Sequence, residues 1–201
     1  MTVGIIDYGC GNLFSLKSSF KRIGVNAVLS SAPRELYSCE KVILPGVGAF
    51  AAAARKLEES GLKSVVAELA RSTPLLGICL GMQLLFDRSF EFGEHAGLGL
   101  IKGDVVPLRV SEFGLKSPQM GWNSLKLEKE CPLFKYTSNG DHVYFVHSYH
   151  AVNCENSVVA AVDYGGNVTA AVASGHVFGT QFHPEKSGEV GLNILRAFAE
   201  L

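Results

Sequence analysis

The sequence lacks the features of a membrane protein or a secreted protein. No apolar run is long enough to span a bilayer, and Asp7 soon follows the first apolar residues where a signal peptide would continue. The 201 residues carry a formal net charge of −1, which provides no electrostatic footprint for nucleic acid or an anionic membrane. We therefore expect a cytoplasmic protein that binds neither nucleic acid nor membrane.

Patterns typical of metal, disulfide and dinucleotide sites are also missing. The five cysteines are scattered, and no two form a Cys-x-x-Cys pair. Five of the six histidines lack the spacing of metal ligands, and the sixth, His183, is considered below. The glycines after the first predicted strand, Gly9 and Gly11, do not follow the Gly-x-Gly-x-x-Gly spacing of a dinucleotide site. The sequence predicts no metal site and no cofactor.

Short apolar runs alternate with amphipathic segments and glycine turns along the whole chain. Strands are predicted at 2–7, 26–29, 41–44, 75–78, 143–146, 158–163, 168–173 and 177–182. Helices are predicted at 13–23 with Asn12 as N-cap, at 49–71 with a break near Ser60, at 80–87 and at 189–201. A β-rich part between 100 and 127 is expected to pair antiparallel. The chain should form one α/β domain over 1–201, with an open, mostly parallel sheet and a small antiparallel segment.

The segment 74–86 combines a predicted buried strand with a sharp turn at Cys79. Gly77 and Gly81 flank the cysteine, as expected where a strained turn has no room for Cβ atoms. A Gly-x-Ser-x-Gly turn lifts its serine clear of a sheet in the same way. The following helix would direct its N–H groups and positive dipole end at the sulfur, favouring the nucleophilic thiolate. The alternative is a buried structural cysteine beside packing glycines.

A second predicted strand end carries His183-Pro184-Glu185. In extended backbone, residues two apart point to the same side, so Glu185 could accept the Nδ1–H of His183. That bond would fix the tautomer and stabilise the imidazolium. The other ring nitrogen would face the thiol, completing a cysteine–histidine pair with an orienting carboxylate. The alternative for His183 is a surface loop histidine.

A third predicted strand end carries Pro45-Gly46-Val47-Gly48. The two glycines let the backbone approach a bound carbonyl, which suits an oxyanion hole. The alternative is a plain strand-to-helix turn. Because sites in open α/β sheets lie at the carboxyl ends of strands, the three turns can converge if their strands are parallel neighbours.

Together these three motifs resemble the class I, or triad, glutamine amidotransferases, whose fold is a flavodoxin-like α/β sheet with helices on both faces. The resemblance implies Cys79 as nucleophile, His183 as acid and base, and Glu185 as its orienting carboxylate. It places the oxyanion hole at the N–H groups of Val47 and Leu80. The remaining positions that match the family's glutamine-binding residues are Gly46, Gly48, Gln83, Glu91, Ser148 and Tyr149.

Three further stretches, 6–13, 120–123 and 144–149, resemble the glutaminase subunits of imidazole glycerol phosphate synthases, and the similarity covers nearly the whole chain. The resemblance implies that the chain hydrolyses L-glutamine to glutamate and ammonia. A (β/α)8-barrel cyclase partner, bound as a heterodimer, would use the ammonia to make imidazole glycerol phosphate and an aminoimidazole carboxamide ribotide in histidine biosynthesis. The positions matching the family's interface with the cyclase are Tyr8, Gly9, Asn12, Trp122, Asn123 and Lys186.

Several alternatives stay open at the level of sequence. The chain has Ser117 and Gln119 where this subunit family usually has valine and histidine, which leaves a paralogue supplying a surface-sugar amidotransferase as a second candidate. A peptidase or γ-glutamyl hydrolase would use the same triad without a partner. A non-catalytic scaffold is a third class, against which the presence of all three triad residues argues. Trp122 fits a core position as well as an interface anchor.

Overall fold

The computed structural model describes all 201 residues. Its fourteen strands are β1 (Thr2–Ile6), β2 (Asn26–Ser30), β3 (Lys41–Leu44), β4 (Leu75–Ile78), β5 (Arg88–Ser89), β6 (His95–Ala96), β7 (Asp104–Pro107), β8 (Gln119–Ser124), β9 (Lys126–Leu127), β10 (His142–His147), β11 (Tyr149–Val152), β12 (Val158–Asp163), β13 (Asn167–Ser174) and β14 (Val177–Thr180). The six helices are α1 (Leu13–Arg22), α2 (Pro33–Tyr37), α3 (Phe50–Glu59), α4 (Leu62–Leu69), α5 (Leu80–Leu84) and α6 (Gly188–Ala199).

An eight-stranded sheet in the order β2-β1-β3-β4-β14-β13-β12-β9 forms the centre of the molecule. The first five strands in that order are mutually parallel, and β13, β12 and β9 continue the sheet in antiparallel pairing. The predicted α/β class with a largely parallel sheet is therefore confirmed. Two smaller sheets, β10-β8 and β11-β7-β5-β6, lie outside it and contain the antiparallel pairing expected of the middle of the chain.

Helices cover both faces of the main sheet because alternate residues of each strand point to opposite sides. Ile5 and Ile43 pack in a cluster with buried side chains of α1 and α6, whereas the adjacent Ile6 and Leu44 pack in a second cluster with α2, α3 and α4. Each cluster contains more than twenty buried residues. The sheet is thus held from both sides, and only its strand ends are free to form a site.

Most predicted elements are present, and the differences have local causes. The predicted helix 49–71 is broken where expected, since Gly61 adopts a φ of +71° between α3 and α4. Asn12 occupies the N-cap position of α1, but its side chain makes no capping hydrogen bond. The helix after Cys79 ends at Leu84, short of the predicted 87. Strand β11 was not predicted, because Tyr149 and His150 carry no strand alternation of apolar residues.

None of the helices is both long enough and apolar enough to pass through a bilayer.

Candidate active site

Three turns meet at one edge of the main sheet because β3, β4 and β14 are adjacent and parallel. The turn 45–48 follows β3, Cys79 follows β4, and His183 comes three residues after the end of β14. Their carboxyl ends therefore open on the same side, which is where open α/β sheets carry their sites. The condition that the sequence left open, that these strands be parallel neighbours, is met.

Cys79 occupies a strained turn that its glycine neighbours make possible. Its φ of 54° and ψ of −110° lie in a region that residues with a Cβ rarely adopt. A Cβ built on Gly77 would lie 2.7 Å from the carbonyl oxygen of Gly81, and one built on Gly81 would lie 1.9 Å from that of Leu44. Only glycine fits at both positions, so the flanking glycines are needed for the turn to close against β3.

The backbone of α5 begins immediately after the sulfur-bearing residue. Cys79 N–H donates to the Thr180 carbonyl of β14 over 2.7 Å, and the Cys79 carbonyl accepts the N–H of Gln83 over 3.1 Å. Both bonds fix the turn between a strand and the first helical residues. The Cys79 side chain is buried, and the amide nitrogen of Gln181 lies 3.8 Å from its sulfur.

His183 and Glu185 form a buried pair. Nδ1 of His183 lies 2.8 Å from Oε1 of Glu185, and both side chains are almost completely shielded from solvent. Burial lowers the pKa of His183, but hydrogen bonding to the Cys79 sulfur and to Glu185 outweighs it and raises the pKa to about 9. The ring is therefore an imidazolium at neutral pH, flanked by a sulfur on one side and a carboxylate on the other.

The backbone that brings this pair together differs from the expected one. His183 is extended, with φ −97° and ψ 99°, but residues Pro184–Lys186 form a single turn of 3-10 helix. Ser187 closes this turn, since its hydroxyl donates to the His183 carbonyl over 2.6 Å. The predicted pairing of His183 with Glu185 is present, and it is made by a tight turn instead of a continuous strand.

The turn between β3 and α3 is held at both of its ends. The hydroxyl of Tyr8 donates to the Pro45 carbonyl over 2.7 Å, and the carboxylate of Glu91 accepts the N–H of Phe50 at the start of α3. Gly48 adopts a φ of +99°, and Gly46 packs against the elbow backbone, where a Cβ would lie 2.7 Å from the Gly81 nitrogen. Between these anchors the Val47 side chain is exposed.

A cleft of about 430 Å³ lies over this edge of the sheet. Ten residues that the sequence analysis singled out line it: Val47, Gly48, Cys79, Leu80, Gln83, Glu91, Ser148, Tyr149, His183 and Lys186. Two further predicted site residues do not line the cleft. Gly46 packs against the backbone of Leu80 and Gly81, and the buried side chain of Glu185 lies behind that of His183. The cleft is also lined by three residues that the sequence did not indicate: Pro118, Val146 and His147.

Sequence reasoning missed three buried polar residues around the cleft: Gln119, His147 and Gln181. Gln83 donates to the Tyr149 carbonyl over 3.0 Å and to Oε1 of Gln181 over 3.1 Å. His147, one of the five histidines that the sequence analysis assigned no role, is buried with both ring nitrogens in hydrogen-bonding contact. The available signal was weak: Gln181 and Gln119 are polar residues within or beside apolar strand segments, a placement that needs a partner in the fold.

The residues expected at a partner interface divide into exposed and buried ones. Trp122 is 53% exposed and packs edge-on against Tyr144, whose ring lies 5.8 Å from the ammonium of the exposed Lys186. Gly9 is exposed, while Asn12 and Asn123 are half-buried. Tyr8 is only 5% exposed, so its place is under the turn 45–48 and not on a surface. Trp122 is thus outside the core, which removes the packing alternative for it.

The comparisons with known proteins agree with this geometry. The sequence matches the family described as "Glutamine amidotransferase class-I" over residues 4–200. It is 48% identical over 203 residues to the "Imidazole glycerol phosphate synthase subunit HisH" of Wolinella succinogenes, covering 99% of both chains. It is 50% identical over 198 residues to the protein of the same name from Bacillus cereus, covering 98% of this chain and 93% of that one.

Solved structures share the fold at lower sequence identity. A crystal structure of a glutamine amidotransferase superposes with a TM-score of 0.77 at 22% identity, covering 98% of this chain and 97% of the other. The structure of PurLQS from Thermotoga maritima gives a TM-score of 0.75 at 22% identity, with coverage of 99% and 97%. These superpositions show the shared fold, and the sequence match over residues 4–200 shows the family: the chain belongs to the class-I glutamine amidotransferases.

Proposed function

We propose that this chain is the glutaminase subunit of an imidazole glycerol phosphate synthase and releases ammonia from L-glutamine at Cys79. The observation that carries the proposal is the meeting of Cys79 with the buried His183–Glu185 pair at the ends of adjacent parallel strands. Full-length relatives near 50% identity carry the name of that synthase, which favours it over the surface-sugar alternative.

In the first half of the reaction, the Cys79 thiolate attacks the side-chain carbonyl carbon of glutamine. A C–S bond forms and the carbonyl oxygen takes the negative charge, which the N–H groups of Val47 and Leu80 would stabilise as an oxyanion hole. The His183 imidazolium then gives its proton to the departing nitrogen, the C–N bond breaks, and ammonia leaves behind a γ-glutamyl thioester.

In the second half, water replaces ammonia. Neutral His183 removes a proton from a water molecule, which attacks the thioester carbonyl. The C–S bond breaks, glutamate leaves, and the thiolate–imidazolium pair is restored. Glu185 keeps the ring in one orientation throughout by accepting its Nδ1–H, and its buried position prevents water from competing for that bond.

The rest of the cleft is suited to a small zwitterionic substrate. Glu91 supplies a carboxylate for the α-ammonium of glutamine, and the backbone at Ser148 and Tyr149 would receive its α-carboxylate. Gln83, one helical turn after the nucleophile, also lines the cleft and donates to the Tyr149 carbonyl. Because Glu91 also holds the first N–H of α3, substrate binding and the position of the turn 45–48 share one side chain.

The partner would be a (β/α)8-barrel cyclase that receives the ammonia directly. The exposed Trp122 and the exposed Lys186 both pack on the Tyr144 ring beside the cleft, and Asn123, Gly9 and Asn12 would extend the contact. An exposed tryptophan supported by a neighbouring ring is typical of an interface anchor.

A Cys79→Ala substitution tests the function. In complex with the cyclase, the variant should lose glutamine-dependent synthesis completely and keep synthesis from added ammonium salts, since the cyclase reaction needs only ammonia. Both rates are followed by formation of the imidazole product. Equal loss of the two would refute ammonia transfer between subunits, and glutamine turnover by the free chain that no cyclase affects would instead support a stand-alone hydrolase.

A Trp122→Ala substitution tests the interface. It should weaken complex formation by about 2 kcal/mol, a typical loss for a truncated anchor, and leave the unfolding temperature unchanged because half of the side chain already lies in solvent. Phe113→Ala is the matched control, since Phe113 is 57% exposed but lies away from this surface, against the turn at Gly165. Calorimetric titration with the cyclase measures both, and equal affinities for the two variants would contradict the assignment.

A further inference from the structure

A chain of buried polar groups connects the surface near Trp122 to the wall of the cleft. Gln119 of β8 is 0% exposed and lies directly opposite His147 in the antiparallel pairing of β8 with β10. Oε1 of Gln119 is 3.0 Å from Nε2 of His147, and Nε2 of Gln119 is 2.9 Å from Oδ1 of Asn123. A glutamine completely removed from water must have its hydrogen bonds satisfied by the protein, and these two contacts do so.

The direction of the hydrogen bonds follows from the groups at the ends. Nδ1 of His147 lies 2.9 Å from the Tyr149 carbonyl, which can only accept, so Nδ1 carries the proton. Burial lowers the pKa of His147 to about 4, so the ring is neutral and Nε2 is an acceptor. In the structure, Oε1 of Gln119 faces Nε2 of His147 and the Gln119 NH2 group faces Oδ1 of Asn123, so both partners of the neutral ring would be acceptors. We therefore assign both amides the reverse orientation, in which the Gln119 NH2 group donates to Nε2 of His147 and the Asn123 NH2 group donates to the Gln119 oxygen.

The same carbonyl receives a second donor from the catalytic side. Gln83 donates to the Tyr149 carbonyl over 3.0 Å and to Gln181 over 3.1 Å, and the Gln181 amide lies 3.8 Å from the Cys79 sulfur. The Tyr149 carbonyl is thus the point where His147 of β10 and Gln83 of α5 converge, and Gln119 of β8 is connected to it through His147. Its position determines where the residues 147–149 and Gln83 stand around the cleft.

We propose that Gln119 and His147 are positioning residues that set the Tyr149 carbonyl, and with it Gln83, for the binding of glutamine. The proposal rests on the proposed function for the identity of the ligand. Neither residue enters the bond-making steps, and Gln119 does not line the cleft. We call the hydrogen bond between Gln119 and His147 the link. Its removal should therefore weaken binding of a glutamine-shaped molecule and leave the intrinsic reactivity of the thiolate unchanged.

Two shape-matched substitutions in the full-length chain separate this role from packing. Gln119→Met fills the same space without hydrogen bonds. Gln119→Glu fills it and can still bond to Nε2 of His147, either as a carboxylate accepting from an imidazolium or as a carboxylic acid donating to the neutral ring. The probe is a chloroketone analogue of glutamine that alkylates Cys79, which yields a binding constant KI and a maximal rate kinact. Iodoacetamide, which lacks the amino-acid part, reports thiolate reactivity alone.

The expected result is a change in KI only. Gln119→Met should raise KI about 10-fold, the equivalent of one hydrogen bond in a buried network, with kinact and the iodoacetamide rate within about 2-fold of the unsubstituted chain. Gln119→Glu should restore KI to within about 3-fold, since the link to His147 is kept. An unchanged KI in Gln119→Met, or an equal rise in both variants accompanied by a lower unfolding temperature, would overturn the proposal in favour of a packing role.

Histidine 15N resonances provide a test that does not depend on glutamine. His147 should carry its proton on Nδ1 at neutral pH, and the Nε2 signal should shift in Gln119→Met as it loses its donor. A proton on Nε2 in the unsubstituted chain would refute the link. If Cys79 reacted with iodoacetamide but not with the chloroketone, the proposed function itself would fail, and the spectra would decide the link by themselves.

Discussion

The backbone strain at Cys79 leads to a prediction about stability that opposes the usual effect of glycine. With a φ of 54° and a ψ of −110°, any residue with a Cβ at this position is strained by about 1–3 kcal/mol. Glycine relieves this strain, but it gives the unfolded chain more freedom, which costs about 0.4–1 kcal/mol, and it loses about 0.8 kcal/mol of buried carbon. The replacement of alanine by glycine at position 79 should therefore raise stability slightly or leave it unchanged.

Cys154 provides the matched control. It is buried to a similar degree, and its backbone is not in the positive-φ region. At position 154, replacing alanine by glycine also increases the freedom of the unfolded chain and removes buried carbon, but there is no backbone strain to relieve. It should therefore lower the free energy of unfolding by about 1–2 kcal/mol. The difference between the two steps isolates the strain at Cys79, which we expect to be about 2 kcal/mol.

Four variants measure this difference: Cys79→Ala, Cys79→Gly, Cys154→Ala and Cys154→Gly. Urea unfolding gives the free energies, and the difference corresponds to about 4–8 °C in unfolding temperature for a chain of this size. If glycine destabilised both positions equally, the elbow would be unstrained and the reasoning would be refuted. Since neither Cys79 variant retains the thiol, loss of activity does not enter the comparison.

Two further predictions concern the pair behind the cysteine and the packing under it. Glu185→Gln removes a negative charge that helps to raise the pKa of His183 to about 9. The imidazolium should then lose its proton at a lower pH, and the alkaline limb of glutaminase activity should move to a lower pH. A pH–rate profile measures this, and a limb that stays near pH 9 would contradict it. Gly81→Ala would place a Cβ 1.9 Å from the Leu44 carbonyl oxygen and should lower the free energy of unfolding by more than about 3 kcal/mol. The control Gly24→Ala should lower it by about 1 kcal/mol, because only the φ of +76° is unfavourable there. Urea unfolding measures both variants, and similar losses would show that the backbone around Cys79 moves to accommodate the added Cβ.

The surface around Trp122 illustrates what local sequence cannot distinguish. A lone tryptophan between a glycine and an asparagine fits a core position as well as an exposed one. Trp122 is exposed because β8 pairs only with β10 in a two-stranded sheet and its even-numbered residues point away from the core. The same alternation turns Gln119 inward, so that one strand carries an exposed aromatic residue and a completely buried amide.

The reactive residues and the turns that carry them could be predicted from the sequence because they depend on constraints between residues close in the chain. Glycines at 77 and 81 mark a turn without room for Cβ atoms, and a proline between His183 and Glu185 keeps the two side chains within reach of each other. The apolar runs likewise predicted the parallel strands, since buried strands carry no polar alternation.

Only the tertiary structure decided which of these pieces meet. Strand order is set by packing across the whole sheet, and it places β14 beside β4 although 98 residues, 79–176, lie between the end of β4 and the start of β14. The buried contacts of Tyr8, Gln119 and His147 follow from the same long-range pairing, because a polar side chain is committed to a partner only once the fold has removed it from water. The sequence by itself determined the reactive groups and the turns that present them, whereas their assembly into one cleft required the pairing of distant strands.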